Sequence, residues 1–179
     1  MIEPTRVGFS TTRALLSRAI RRLTGSRVSH AFLVYEDVDF QRTMVMEAVG
    51  SGFRIVPLDK FARHNEIVRI FTPRHPIDTG LRKAVDWLGE AYDTRALVGM
   101  ALLLALRSLR LRLKRRNFLA SSRALFCSEA VARACRASGY PHFHLDPETT
   151  TPQDLLAFFE AEGEADAEVQ PGPVRAGTP

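Results

Sequence analysis

Cys127 stands in Leu125-Phe126-Cys127-Ser128-Glu129, where a helical pattern begins, and His30 lies far upstream in a strand-like run. A thiol in the first turn of a helix faces unpaired N–H groups and the positive end of the helix dipole, and both favour thiolate over thiol. An imidazole beside it would lower the thiol pKa further. Cysteine and histidine that are distant in sequence but adjacent in space are the mark of a thiol hydrolase. Taken alone, a cysteine is more often a small core side chain than a catalyst. Cys135, in the middle of Ala130-Val131-Ala132-Arg133-Ala134-Cys135, is assigned to that packing role. Eight helical residues separate the two sulfurs by about 12 Å, too far for a disulfide.

A third member is expected on the hairpin that carries His30. Val28 to Glu36 and Thr43 to Val49 are strand-like and are joined by a short acidic turn around Val38 and Asp39. If the turn centres between Val38 and Asp39, then Val34 faces Thr43, Phe32 faces Val45, and His30 faces Glu47. Directly opposed residues share a face of the sheet, with Cβ atoms about 4.5–5.5 Å apart. Glu47 would then fix the imidazole tautomer and stabilise the imidazolium formed when the ring takes a thiol proton. A slip of one residue would send Glu47 to the other face.

The elements around these residues follow from periodicity and turn signals. Residues 10–24 place Leu15, Leu16, Ala19, Ile20 and Leu23 on one helical face, with Ser10 or Thr11 as the cap and Gly25 as the stop. Phe53 to Leu58 and Glu66 to Phe71 are two further strands. Leu81, Ala84, Val85 and Leu88 give a helix that stops at Gly89, another helix starts near Thr94, and the Cys127 helix stops at Gly139. Thr151-Pro152-Gln153-Asp154 is a helix start with a cap, a proline in the first position and an acid in the first turn. Strands first and helices afterwards predict an α+β fold with an antiparallel sheet packed against helices, the nucleophile-bearing helix among them.

Together these residues resemble the circularly permuted papain-like cysteine hydrolases, the YiiX/YebB-like relatives of the NlpC-type peptidases. In that group the histidine strand precedes the cysteine helix. The matching segments are Ser17-Arg18-Ala19-Ile20 leading to Gly25-Ser26-Arg27-Val28-Ser29-His30-Ala31, Met46-Glu47-Ala48 with Pro57-Leu58, Gly89-Glu90-Ala91-Tyr92-Asp93, Phe126-Cys127-Ser128-Glu129, and Thr151-Pro152-Gln153-Asp154-Leu155. They span about residues 7–158. The resemblance implies Cys127 as nucleophile, His30 as general base and Glu47 as the orienting residue. The expected activity is cleavage of an amide or ester bond through an acyl-cysteine. Phe126 replaces the Asp that usually precedes the cysteine in unpermuted relatives, so a cell-wall peptide specificity does not carry over.

Tyr92 is expected to line the cleft. Glu129 is read first as a stabiliser of its helix and second as an acceptor for a substrate amine. The backbone N–H of Cys127 is the first candidate for holding an oxyanion. His142-Phe143-His144 has a spacing that a metal could use, but no acid or cysteine cluster accompanies it, so neither a metal nor a cofactor is expected.

The chain has 179 residues and a net charge of +5, and 45% of it is hydrophobic, which suits one domain with an ample core. The charge is uneven. Residues 160–179 contain five acids against Arg175, a balance of −4, so the remaining 159 residues carry +9. The domain is taken as residues 1–162, followed by a disordered acidic Pro/Gly-rich tail over 163–179. The N-terminus lacks the pattern of a secretory signal, which makes the cytoplasm the default compartment. Ala96 to Leu106 carries no charge and runs into six basic residues within Arg107–Arg116. Eleven helical residues span about 16 Å, too short for a bilayer core of about 30 Å. This segment is read either as core ending in a solvated basic face or as a peripheral contact with an anionic membrane surface. Nucleic acid is disfavoured because aromatic interleaving is missing there. Substrates compatible with these features are a small peptide, an amino-acid amide or an acyl-lipid, the last implying a lipid thioesterase or acyltransferase on the same scaffold. The rival outside enzymology is a non-catalytic membrane-surface adaptor.

Overall fold

The computed structural model describes residues 4–12, 18, 26–49, 52–89, 127–162 and 165–166. It is an α+β protein built on an antiparallel sheet. The strands are β1 (Arg6–Thr11), β2 (His30–Asp37), β3 (Arg42–Val49), β4 (Gly52–Pro57), β5 (Glu66–Thr72) and the two-residue β6 (Ala165–Asp166). Their order across the sheet is β4-β3-β2-β1-β5-β6. The helices are α1 (Leu58–Ala62), α2 (Asp78–Ala84) continued by a 3-10 turn at Val85–Trp87, α3 (Cys127–Ala137) and α4 (Pro152–Ala161).

Alternation along the strands divides the core in two. Val7, Phe9, Ala31, Leu33, Met46, Ala48 and Phe53 turn to one face and pack with Ala130, Val131, Ala134 and Cys135 of α3 and with Leu155, Leu156 and Phe159 of α4. Phe32, Val34, Val45 and Ile70 turn to the other face, which Leu58 and Phe61 of α1 cover. Gly8 is required where it stands. A Cβ built there would lie 2.2 Å from the Phe32 ring, so the glycine makes room for a buried aromatic on the neighbouring strand.

β1 is central, and the sequence reading missed it. Ser10 and Thr11, taken as a helix cap, are the last two residues of this strand. Val7 and Phe9 supply its inward face, a pattern too short to stand out beside the leucines that follow. Arg18 is helical, and the rest of the stretch expected as helix, 13–17 and 19–24, falls outside the described residues, as does the helix expected from Thr94. Ala165–Asp166 pair with β5 inside the stretch expected to be disordered, and the tail after them is likewise outside the described residues.

The helices that hold the site form for local reasons. At the start of α4, the Thr151 hydroxyl accepts from the Asp154 N–H at 3.2 Å while the Asp154 carboxylate accepts from the Thr151 N–H at 3.0 Å, a reciprocal capping box. Ser128 in the first turn of α3 donates to the Thr150 carbonyl at 2.7 Å, tying the start of α3 to the start of α4. Gly139, at φ +65°, lies just beyond the end of α3. α2 packs so closely on α3 that a Cβ on Gly80 would sit 2.0 Å from the Ala134 carbonyl oxygen. Among the described residues no helix is long and apolar enough to cross a membrane.

Candidate active site

The β2–β3 ladder differs from the expected one by two residues. Leu33 pairs with Met46, Val34 with Val45 and Glu36 with Thr43, so the turn centres between Asp39 and Phe40. The strands are joined by residues 38–41, where the Asp37 carboxylate accepts from the Phe40 N–H at 2.9 Å and Gln41 takes a positive φ of 49°, which returns the chain at Arg42. Val34 therefore does not face Thr43, nor Phe32 Val45. A shift of two keeps every side chain on its own face, so His30 and Glu47 become diagonal neighbours and still meet. His30 Nε2 and Glu47 Oε2 lie 2.8 Å apart.

The strands part where the site begins. β2 remains paired with β1 as far as His30, and β3 remains paired with β4 as far as Val49, but the β2–β3 ladder runs no further than Leu33 and Met46. Phe32, Ala31 and His30 thus border an opening between the two strands. Cys127, the first residue of α3, comes to this opening. Its sulfur hydrogen-bonds the His30 ring and accepts from the backbone N–H groups of Ala31 and Ser128. With Nε2 held by Glu47, Nδ1 is the ring nitrogen left for sulfur. The opening lets a helix packed on one face deliver its first side chain to a ring carried on the other. That ring stands beside the Phe32–Phe61 pair, with their centroids 5.9 and 6.2 Å from its own and 4.5 Å from each other.

The electrostatics follow from burial and pairing. Burial alone would suppress charge on all three groups. On His30 this is outweighed by the charge of Cys127 and its hydrogen bond, then by those of Glu47, and the pKa is pushed up to about 10. Burial opposes ionisation of Cys127 as well, but the His30 charge and hydrogen bond and the two backbone donors hold the thiol below its usual range. Glu47 has only 2% of its side chain exposed, yet it stays below the ordinary carboxylate range because His30 and Arg54 both bond and face it. Both shifts run towards a thiolate–imidazolium pair and away from the neutral thiol and imidazole. Cys135 is the internal contrast: burial, opposed only by a backbone hydrogen bond and by no charged neighbour, pushes its thiol up to about 12.

Two contributors were not read from the sequence. The Ala31 N–H becomes available only because the ladder stops, which no residue type announces. Arg54 is directly opposite Glu47 in the β3–β4 ladder and donates to its Oε1 from Nε at 3.0 Å and Nη2 at 2.9 Å. Val49-Gly50-Ser51-Gly52 carries the signal of a two-residue hairpin, and that hairpin's register pairs position 47 with position 54.

Glu129 is paired within its own helix, as the first of its two readings expects. It is 2% exposed, and Arg133, one turn along α3, holds its carboxylate at 2.6 Å. Tyr92 and the basic apolar stretch Ala96–Arg116 lie outside the described residues. Among the described residues no group of three or more His, Cys, Asp or Glu is placed to hold a metal. His142 and His144 are joined instead by a bond from the His144 ring to the His142 carbonyl. The chain matches no family model, and no curated protein matches it.

Proposed function

We propose that the protein is a cysteine hydrolase that cleaves an amide or ester bond through an acyl-cysteine, on a permuted papain-like fold. The observation that carries this reading is a helix-first thiol hydrogen-bonded to an imidazole whose other nitrogen is held by a buried carboxylate. The Cys127 thiolate attacks the substrate carbonyl and forms a C–S bond. The carbonyl electrons move to oxygen, where the N-terminal N–H groups of α3 face the developing charge. The His30 imidazolium gives its proton to the departing amine or alkoxide as the C–N or C–O bond breaks. Neutral His30 then takes a proton from water, whose oxygen attacks the thioester and releases a carboxylic acid, while the proton restores the imidazolium. Glu47 keeps the ring oriented throughout. A packing role for Cys127 leaves the buried imidazole and carboxylate beside it without a purpose, since isolating such groups from water costs several kcal/mol.

The test is a panel of p-nitrophenyl acyl esters and amino-acid p-nitroanilides, read by product release and by intact mass after acid quench. The expected result is an acyl adduct on Cys127 that is absent from Cys127→Ala and strongly reduced in His30→Gln. Hydrolysis or adducts that persist unchanged in Cys127→Ala refute the reading.

A further inference from the structure

Across the sheet, one face carries His30, Glu47 and Arg54 in succession on β2, β3 and β4. Glu47 divides its two oxygens between its neighbours: Oε2 meets His30, and Oε1 takes both Nε and Nη2 of Arg54. Arg54 is 51% exposed, whereas Glu47 is buried. A planar guanidinium that meets one carboxylate with two N–H groups fixes the tilt of that carboxylate as well as its charge. Resting on the hydrolase reading above, we propose that Arg54 is a positioning residue of the site, a fourth member that holds Glu47 aimed at His30 and so acts on Cys127 through the imidazole.

The physical case starts from what Glu47 would be without Arg54. A carboxylate with almost no solvent access would then have one oxygen without its donors, and burial would draw its proton affinity up. Protonated or rotated, it would support the imidazolium less well, and the thiolate would form only at higher pH. The surroundings supply no substitute among the described residues. On Glu47 the ionisable groups that bear are His30 from β2 and Arg54 from β4, and on His30 they are Glu47 and Cys127. From α1, Asp59 is engaged by Arg42 near the far end of β3, and Lys60 is not among the groups that act on Glu47. From α3, Glu129 is taken by Arg133.

The experiment needs no substrate. The rate of Cys127 alkylation by iodoacetamide is followed against pH in the full chain, with peptide mass spectrometry to separate Cys127 from Cys135. Variants are Arg54→Gln, Arg54→Lys, Glu47→Gln and the Arg54→Gln/Glu47→Gln pair, with thermal melts to establish folding. Arg54→Gln is expected to move the acid limb of the profile upward by about one pH unit, the size of one partly screened charge interaction. Arg54→Lys should recover more than half of that shift. In the Glu47→Gln background the Arg54 substitution should add nothing, because its route to sulfur is gone. A role confined to surface stability would lower the melting temperature and leave the limb in place. An unmoved limb in Arg54→Gln beside a moved limb in Glu47→Gln overturns the proposal while leaving the triad standing. If Glu47→Gln and His30→Gln also leave the limb unmoved, the triad reading fails with it. Should Arg54→Gln not fold, Arg54→Lys decides, since loss of the two-pronged contact must still leave a measurable part of the shift.

Discussion

Replacing Cys127 by alanine should change the proton affinity of His30 more than any other single substitution in the protein. The ring is held up to about 10 against burial, and the largest of the upward contributions is the charge of the Cys127 sulfur, followed by its hydrogen bond. Two unit charges about 4 Å apart interact by about 4 kcal/mol at an effective dielectric of about 20, and about 1.4 kcal/mol corresponds to one pH unit. Removing the sulfur should therefore lower the His30 midpoint by about three pH units, leaving Glu47 to oppose burial alone. The assay is NMR titration of the protein labelled at histidine, in which His30→Gln identifies the resonance among the five histidines. The reciprocal experiment follows the Cys127 thiolate in His30→Gln, where burial goes unopposed by imidazolium and the thiol should ionise above its usual range. The sign in stability follows from linkage. A raised His30 pKa contributes stability that is complete below about 6.5 and is lost as pH rises through about 10, and Cys127→Ala should remove most of that dependence. A His30 midpoint in Cys127→Ala that stays near 10, or a wild-type midpoint already near 6.5, refutes the ion-pair reasoning.

Alkylation should distinguish the two cysteines by orders of magnitude at neutral pH, because one thiol is depressed by imidazolium and the other is buried and raised to about 12; timed mass mapping gives both rates. Glu47→Gln should lower turnover of an activated ester by about 10²- to 10⁴-fold with a smaller effect on KM, because orientation of the base is lost rather than substrate contact; steady-state kinetics separates the two. Thr151→Ala removes the side-chain half of the capping box and should destabilise the protein by about 1 kcal/mol, read by chemical denaturation. Gly80→Ala should cost more than Thr151→Ala in the same assay, since its methyl group meets the Ala134 backbone rather than a movable side chain.

Much of this architecture was legible because side-chain periods are short. Strands β2 to β5 showed themselves as apolar runs bounded by turn residues, and α4 by Thr151, Pro152 and Asp154. The His30–Glu47 contact survived an incorrect turn because a two-residue slip preserves the face. An error of one would have destroyed it. Less legible were features that depend on what the backbone does rather than on residue type. The strand of Arg6–Thr11 is hidden beside a leucine-rich stretch, and the donor role of the Ala31 N–H exists only where a ladder ends. Glu129, expected first as a stabiliser of its helix, is buried and bound within that helix by Arg133, a pairing at the spacing of one helical turn.

The parting of β2 from β3 explains why these groups are placed as they are. In a fully paired sheet, the Ala31 N–H would bond the neighbouring strand, and a helix on one face would have no route to a ring on the other. Opening the ladder after Leu33 releases that N–H for the sulfur and admits the end of α3, while pairing of β2 with β1 and of β3 with β4 keeps both strands rigid on their outer edges. His30 and Glu47 are therefore fixed by two separate ladders, and their 2.8 Å contact is the link across the gap. Arg54 extends that link onto β4 and ends in water. The buried carboxylate thus has a ring nitrogen on one side and a guanidinium on the other, so charge that would be costly to bury alone is shared between His30 inside and Arg54 at the surface.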